Sequence, residues 1–153
     1  MSDAFAAMVQ GRLRLAEQIF QKIVDETNGA SEAMMLLGQA QFEQGHYRDA
    51  IQTCMALTEK FPRVQLYKVN LAAMLMNRWE TAEDPEVKAH ALKRARELYQ
   101  EAIELDESNP FPYTELAKSY IGDENFEEAY KLTEKAVNVN GREDFEDFNP
   151  LVM

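Results

Sequence analysis

Cys54, His46 and His90 are the side chains of this sequence with the chemistry of a nucleophile or of a general base near neutral pH. A thiol acts as a nucleophile when a neighbouring base takes its proton and a third group orients that base. Here the chain has one cysteine and two histidines, and no third group stands where it would orient either imidazole. One cysteine rules out an internal disulfide, and the two histidines do not complete a four-ligand zinc site around it. A lone free thiol of this kind fits a reducing compartment. Carboxylates are plentiful, but neighbours such as Glu127–Glu128 and Glu143–Asp144 read as solvated charge. There is no glycine-rich phosphate loop and no metal-ligand spacing. The expectation is a protein that is not an enzyme and carries no cofactor, with Cys54 as a core residue.

Binding chemistry is bounded by charge. The formal net charge is −11, and it is unevenly spread. Residues 1–78 hold eight acids and eight Lys/Arg, whereas residues 79–153 hold nineteen acids and eight Lys/Arg. A field of that sign repels phosphate backbones and anionic headgroups, which argues against nucleic acid and membrane-surface partners. No stretch has the uninterrupted apolar length of a membrane span, and the start Met-Ser-Asp-Ala-Phe lacks the features of a signal peptide. The chain therefore reads as cytoplasmic, with a soluble domain of an anchored or periplasmic parent as the alternative.

The elements that must position any binding side chain follow from a repeat. At 153 residues, 46% hydrophobic and 28% charged, the chain suits one compact domain or a short repeat array. Small residues recur at Ala16, Ala50, Ala95 and Ala129, separated by 34, 45 and 34 positions. A second series, Gly38, Ala72 and Ala117, is separated by 34 and 45. Two paired helices approach closely only where a side chain is nearly absent, so such residues mark helix crossings. Larger residues, Leu37, Tyr47, Leu71, Leu92, Leu116 and Phe126, are expected to fill the space between helices. Helices are predicted near 3–10, 12–27, 31–44, 47–60, 64–81, 85–106, 110–121 and 125–139. Ser31 reads as an N-cap without the acidic partner of a capping box, Asp84-Pro85 and Asn109-Pro110 as helix starts, and Gly141 as the final stop.

The segment from Ser31 to Pro62, with Leu37-Gly38, Gly45, Tyr47, Ala50 and Pro62 in order, resembles the tetratricopeptide repeat. Tyr113, Leu116-Ala117, Tyr120, Phe126, Ala129 and Ala136 repeat the same order of residue types. The resemblance implies an all-α fold, a right-handed α-solenoid of antiparallel helix pairs. About four units are expected, the first abbreviated and the third enlarged by an 11-residue insertion around Trp79–Ala89. Residues 1–141 form the repeat domain and residues 142–153 an acidic, aromatic tail. The long third hairpin also resembles, in layout, repeat modules of bacterial cytochrome c maturation proteins.

In the family, first helices of successive units line a concave groove that holds peptides. Carried over onto this sequence, that groove would be lined by Phe5, Met8 and Val9, then Met35, Gln39 and Phe42. The third unit would add Leu66, Val69, Asn70, Ala73 and Met76, and the fourth Phe111, Thr114, Lys118 and Ile121. Some members clamp a partner's terminal carboxylate with Lys, Arg and Asn; here Asn70 alone matches, while Met35, Gln39, Phe111 and Glu115 depart from the pattern. A methionine-containing apolar lining points instead to an apolar or amphipathic peptide segment. The expected function is a protein–protein interaction module, an adaptor, co-chaperone or assembly factor. The alternative is a subunit that self-associates through its groove or tail within an export or cytochrome c maturation-like assembly. Trp79, in the insertion, is either a secondary partner contact or a ring that packs the longer hairpin together. The tail either packs back on its own array, enters a groove of its own or a neighbouring chain, or is disordered.

Overall fold

A computed structural model describes the backbone of residues 2–147; the side chains of Ser2, Phe5 and Met8 and those from Asn140 onward lie outside what is described. Among the described residues there are eight helices and no strand. They are α1 (Ser2–Val9), α2 (Leu13–Glu26), α3 (Ser31–Glu43), α4 (Tyr47–Lys60), α5 (Gln65–Thr81), α6 (Pro85–Leu105), α7 (Pro110–Gly122) and α8 (Phe126–Asp147). Each packs on the next along the chain, as an α-helical repeat must, because no one helix pair buries its apolar face alone.

The links alternate strictly. Three residues join α1 to α2, α3 to α4, α5 to α6 and α7 to α8, and four join each pair to the next. The insertion has therefore gone wholly into helix. With 17 residues α5 is four longer than α3 or α7, and with 21 residues α6 is seven longer than α4, which together account for the eleven. Four and seven residues are close to one and two whole turns, so the helices lengthen without rotating their buried faces.

Three of the four hairpin turns share one local solution. Their middle residues, Gly11, Gly45 and Glu124, have φ of 73°, 81° and 58°. The following amide then reaches back to close the preceding helix: His46 N–H to Gln41 O at 2.9 Å and Asn125 N–H to Tyr120 O at 2.8 Å. The lengthened α5–α6 hairpin turns differently, through extended Ala82 and Asp84. There the Asp84 carboxylate accepts from Glu86 N–H at 2.9 Å, with Pro85 as first helical residue. Asn109 caps α7 in the same manner, accepting from Phe111 N–H at 3.0 Å ahead of Pro110.

Two expected boundaries are corrected. Ser31 is the first residue of α3 and Ala30 is its cap; Thr27 Oγ1, earlier in the same turn, accepts the Ala30 N–H at 3.2 Å. Gly141 does not stop the last helix, which runs on to Asp147. A glycine inside a helix costs only about 1 kcal/mol, and the Arg142–Asp147 stretch that follows offers no competing turn.

The small residues of both series are buried at the helix crossings. A side chain on Gly38 would collide with Cys54 Sγ, 2.7 Å from the position of its first carbon. Leu37, Leu71, Leu92 and Leu116 are buried as expected, but Tyr47 and Phe126 are exposed. Each of those two is the first residue of its helix, directly after the hairpin turn. Tyr47 instead meets Phe42 edge-on, with ring centroids 5.1 Å apart. Among the described residues, many of the buried side chains gather in two clusters. One gathers Ala4, Ala7, Ala16, Phe20, Leu37 and Ala40; the other runs from Cys54 through α5, α6 and α7 to Leu132 and Ala136.

Candidate functional site

The α3–α5 groove is built by side chains one helical turn apart. Met35, Gln39 and Phe42 of α3 face Tyr67, Asn70, Ala73, Met74 and Asn77 of α5 across a pocket of about 470 Å³, with Cys54 and Leu57 of α4 beneath. None of these residues is charged. Gln39 Nε2 donates to Glu43 Oε1 at 3.3 Å, while Asn77 Oδ1 is buried without a hydrogen-bond partner. Tyr67 is held edge-on against Phe61, 6.2 Å between centroids, and its carbonyl accepts from Thr58 Oγ1 at 3.4 Å. The result is an apolar, methionine-bearing trough with carboxamides along it. It suits side chains without charge and main-chain amides in need of partners.

Of the residues expected to line a groove, Met35, Gln39, Phe42, Asn70 and Ala73 line this pocket together. Other residues fall elsewhere. Val69, 7% exposed, belongs to the larger core and is not open to a ligand; Met76 packs against that same core. Leu66 is exposed but outside the pocket. The face that α5 turns to α3 carries Tyr67, Asn70, Ala73, Met74 and Asn77, so of the five α5 residues expected there Asn70 and Ala73 lie on it and Leu66, Val69 and Met76 do not. Phe111, Thr114, Lys118 and Ile121 are exposed on α7, away from this pocket. Lys118 Nζ pairs with Glu115 Oε1 at 2.7 Å and Thr114 Oγ1 donates to Pro110 O at 3.2 Å. Phe5 and Met8 have side chains outside the described set, while Val9 is exposed.

Trp79 packs its indole over the α-carbon of Gly122 at the end of α7, so closely that a side chain at 122 would clash with the ring. Beside it, Arg96 ties α6 to the same end of α7. Its guanidinium donates to Ser119 Oγ and Ser119 O, both at 3.1 Å, and to Asp123 Oδ2 at 3.3 Å, and lies 4.0 Å from the centroid of Tyr120. On the other flank of α6, Glu101 accepts from Lys68 Nζ at 2.7 Å and from Arg94 Nη1 at 3.4 Å. Partial burial pushes the Glu101 pKa up, but the hydrogen bonds and positive charges of Lys68 and Arg94 outweigh it and hold the carboxyl below its ordinary value.

The nucleophile candidate has the opposite environment. Burial pushes the Cys54 thiol up to about 11, which leaves it protonated at neutral pH. His46 sits in the α3–α4 turn with Nδ1 3.3 Å from Glu17 Oε2, and His90 is exposed on α6. Among the described residues no three His, Cys, Asp or Glu side chains are placed to hold a metal ion. None of the described helices is long and apolar enough to cross a membrane.

Residues 7–83, half of the chain, match the family model described as tetratricopeptide repeat. The chain belongs to the tetratricopeptide repeat family. Its array superimposes on the crystal structure of MamA with a TM-score of 0.77 at 18% identity, covering 92% of this chain and 76% of that one. It also superimposes on a thermophilic tetratricopeptide protein of Thermus thermophilus, TTC0263, with a TM-score of 0.74 at 18% identity, covering 91% and 72%. No curated protein matches the chain by sequence. At these identities the likeness is one of fold. Tetratricopeptide arrays are in general protein–protein interaction modules, and their repeats are in general scaffolds and not catalysts.

Proposed function

We propose that this protein is an adaptor or assembly factor that receives an apolar or amphipathic segment of a partner protein in its α3–α5 groove. The observation that carries this reading is the lining: Met35, Phe42, Tyr67 and Met74 give flexible and aromatic apolar contact, and Gln39, Asn70 and Asn77 give uncharged hydrogen-bonding groups. A partner's carboxylate would find no cation there, whereas an extended or helical segment finds both apolar surface and amide partners. Residues Phe111, Thr114, Lys118 and Ile121, exposed on α7, would extend the contact along a longer ligand. Trp79 acts as a positioning contact between α5 and α7 in this reading and not as a ligand contact.

The test is a quantitative pull-down from the source cells with the full chain and with Met35→Glu/Met74→Glu. Both substitutions put a carboxylate into the groove; Met35 lies outside the buried clusters, whereas Met74 also packs against the larger one, so retained helix content is the control on its folding. Loss of the principal co-purifying protein, with helix content unchanged by circular dichroism, is the expected result. Equal recovery by both proteins would remove the groove assignment.

A further inference from the structure

Aligning Ala95 with Ala50 and Ala72 with Gly38 identifies the added residues as 85–91 at the start of α6 and 78–81 at the end of α5. These added turns build a second cleft, on a different face of α5 from the groove. Its volume is about 930 Å³, and three helices line it. The floor is Ile51, Leu71 and Leu75; Met55 and Val87 form apolar walls; Arg48 and Arg78 stand at the rim. Met55 is 45% exposed there.

The charges at this rim are unequal in availability. Arg94 is already bound to Glu97 and Glu101, at 3.2 and 3.4 Å, and the Asp84 carboxylate serves as the α6 cap. Glu86 and the exposed His90 complete the titratable groups. Arg48 and Arg78 make no ion pair among the described residues. An apolar trough with two unpaired guanidinium groups calls for an occupant that combines carboxylates with bulky apolar side chains.

We propose that the occupant is the segment 143–152 of a second copy of the chain. In sequence this segment offers Glu143, Asp144, Glu146 and Asp147, with Phe145, Phe148 and Leu151 recurring every third residue among and after them. The complementarity extends to the halves of the chain. Residues 1–78, which supply both arginines, are electrically balanced, and the entire −11 lies in residues 79–153. The contact is between molecules for a geometric reason. The cleft opens at the end where α6 and α8 both begin, and α8 runs 22 residues away from it, about 33 Å. Residues 148–153 reach at most about 21 Å when fully extended, so they do not bring the segment back to the cleft of their own chain.

Sedimentation equilibrium of the full chain over a concentration series, at low and high salt, tests this. Reversible self-association that salt weakens is expected, with the dissociation constant raised at least about tenfold by Arg48→Glu/Arg78→Glu. The fourfold Glu143→Lys/Asp144→Lys/Glu146→Lys/Asp147→Lys chain should lose association likewise, and a chain carrying both reversals should regain it. Recovery by that doubly reversed chain cannot come from misfolding, and Met35→Glu alone, a groove variant on α3 that leaves the Leu71 and Leu75 floor unaltered, should associate as the wild type does. A monomer at every concentration overturns the proposal, as does association indifferent to the arginine reversal. So does a doubly reversed chain that stays monomeric, or association lost in the groove variant and kept in the arginine variant. The groove reading is judged separately, by its pull-down.

Discussion

Gly122 is a functional absence: the space its side chain would fill is taken by the ring of Trp79. Gly122→Ala forces the indole out or opens the α5–α7 contact, an overpacking cost of about 1–3 kcal/mol. Since Trp79 is the chain's one tryptophan, the expected result is a lower melting temperature together with red-shifted tryptophan emission. Glu101 gives a second residue-scale prediction. Its folded pKa is lowered, so its contribution to stability is present above the ordinary carboxyl value and is lost as pH falls through the depressed one. Lys68→Met removes the first of its two partners, and chemical unfolding as a function of pH should then show a flatter acid limb. Neither contact was legible in sequence. Trp79 and Gly122 are far apart along the chain, and no pattern marks which glycine faces which ring.

At the scale of elements, the turns carry a rule and an exception. Gly11 and Gly45 occupy the left-handed position of their hairpins at no steric cost, while Glu124 holds the same position with a side chain, at φ 58°. A left-handed L-residue costs roughly 1–2 kcal/mol, and glycine gives back about 0.5–1 kcal/mol in unfolded-state entropy. Glu124→Gly should therefore stabilise the protein by about 0.5–1 kcal/mol, read as a higher urea midpoint with an unchanged slope. The lengthened α5–α6 hairpin was legible in outline, because Asp84-Pro85 announces a helix start and the spacing of small residues announces eleven extra positions. The distribution of those positions, one turn to α5 and two to α6, follows from the constant three-residue link. On α5, Asn70 and Ala73 of the expected residues line the pocket, while Val69 lies in the core and Tyr67, Met74 and Asn77 stand in the pocket unanticipated. Successive residues of a helix point about 100° apart, so which neighbour of Asn70 and Ala73 joins them depends on how α5 is rotated against α3.

At the scale of the molecule, the described residues show two clusters of buried side chains, one centred on α1–α3 and one spanning α4–α8. In a repeat array stability is close to a sum over neighbours, so damage stays local. Phe20 is the largest side chain of the first cluster and is fully buried. Phe20→Ala should cost about 3–5 kcal/mol there and expose the α1 and α2 amides to hydrogen exchange. Amides of α6 and α7 should keep their protection. Equal loss throughout would show instead that the eight helices open as one unit.

The repeat itself, its period, its crossings and the place of its insertion, were determined by sequence alone. Crossing geometry admits only Gly or Ala at Gly38, Ala50, Ala72, Ala95, Ala117 and Ala129, and that requirement leaves a record in residue type at fixed spacing. The distribution of charge is likewise a property of the sequence. Tertiary structure decided which residues of each helix face one another. The α3–α5 groove, the Trp79–Gly122 contact and the cleft between α4, α5 and the added turns of α6 all depend on helix rotation and on lengths absorbed in whole turns. Those quantities are set by the packing of distant segments together, so no local pattern of residue types encodes them.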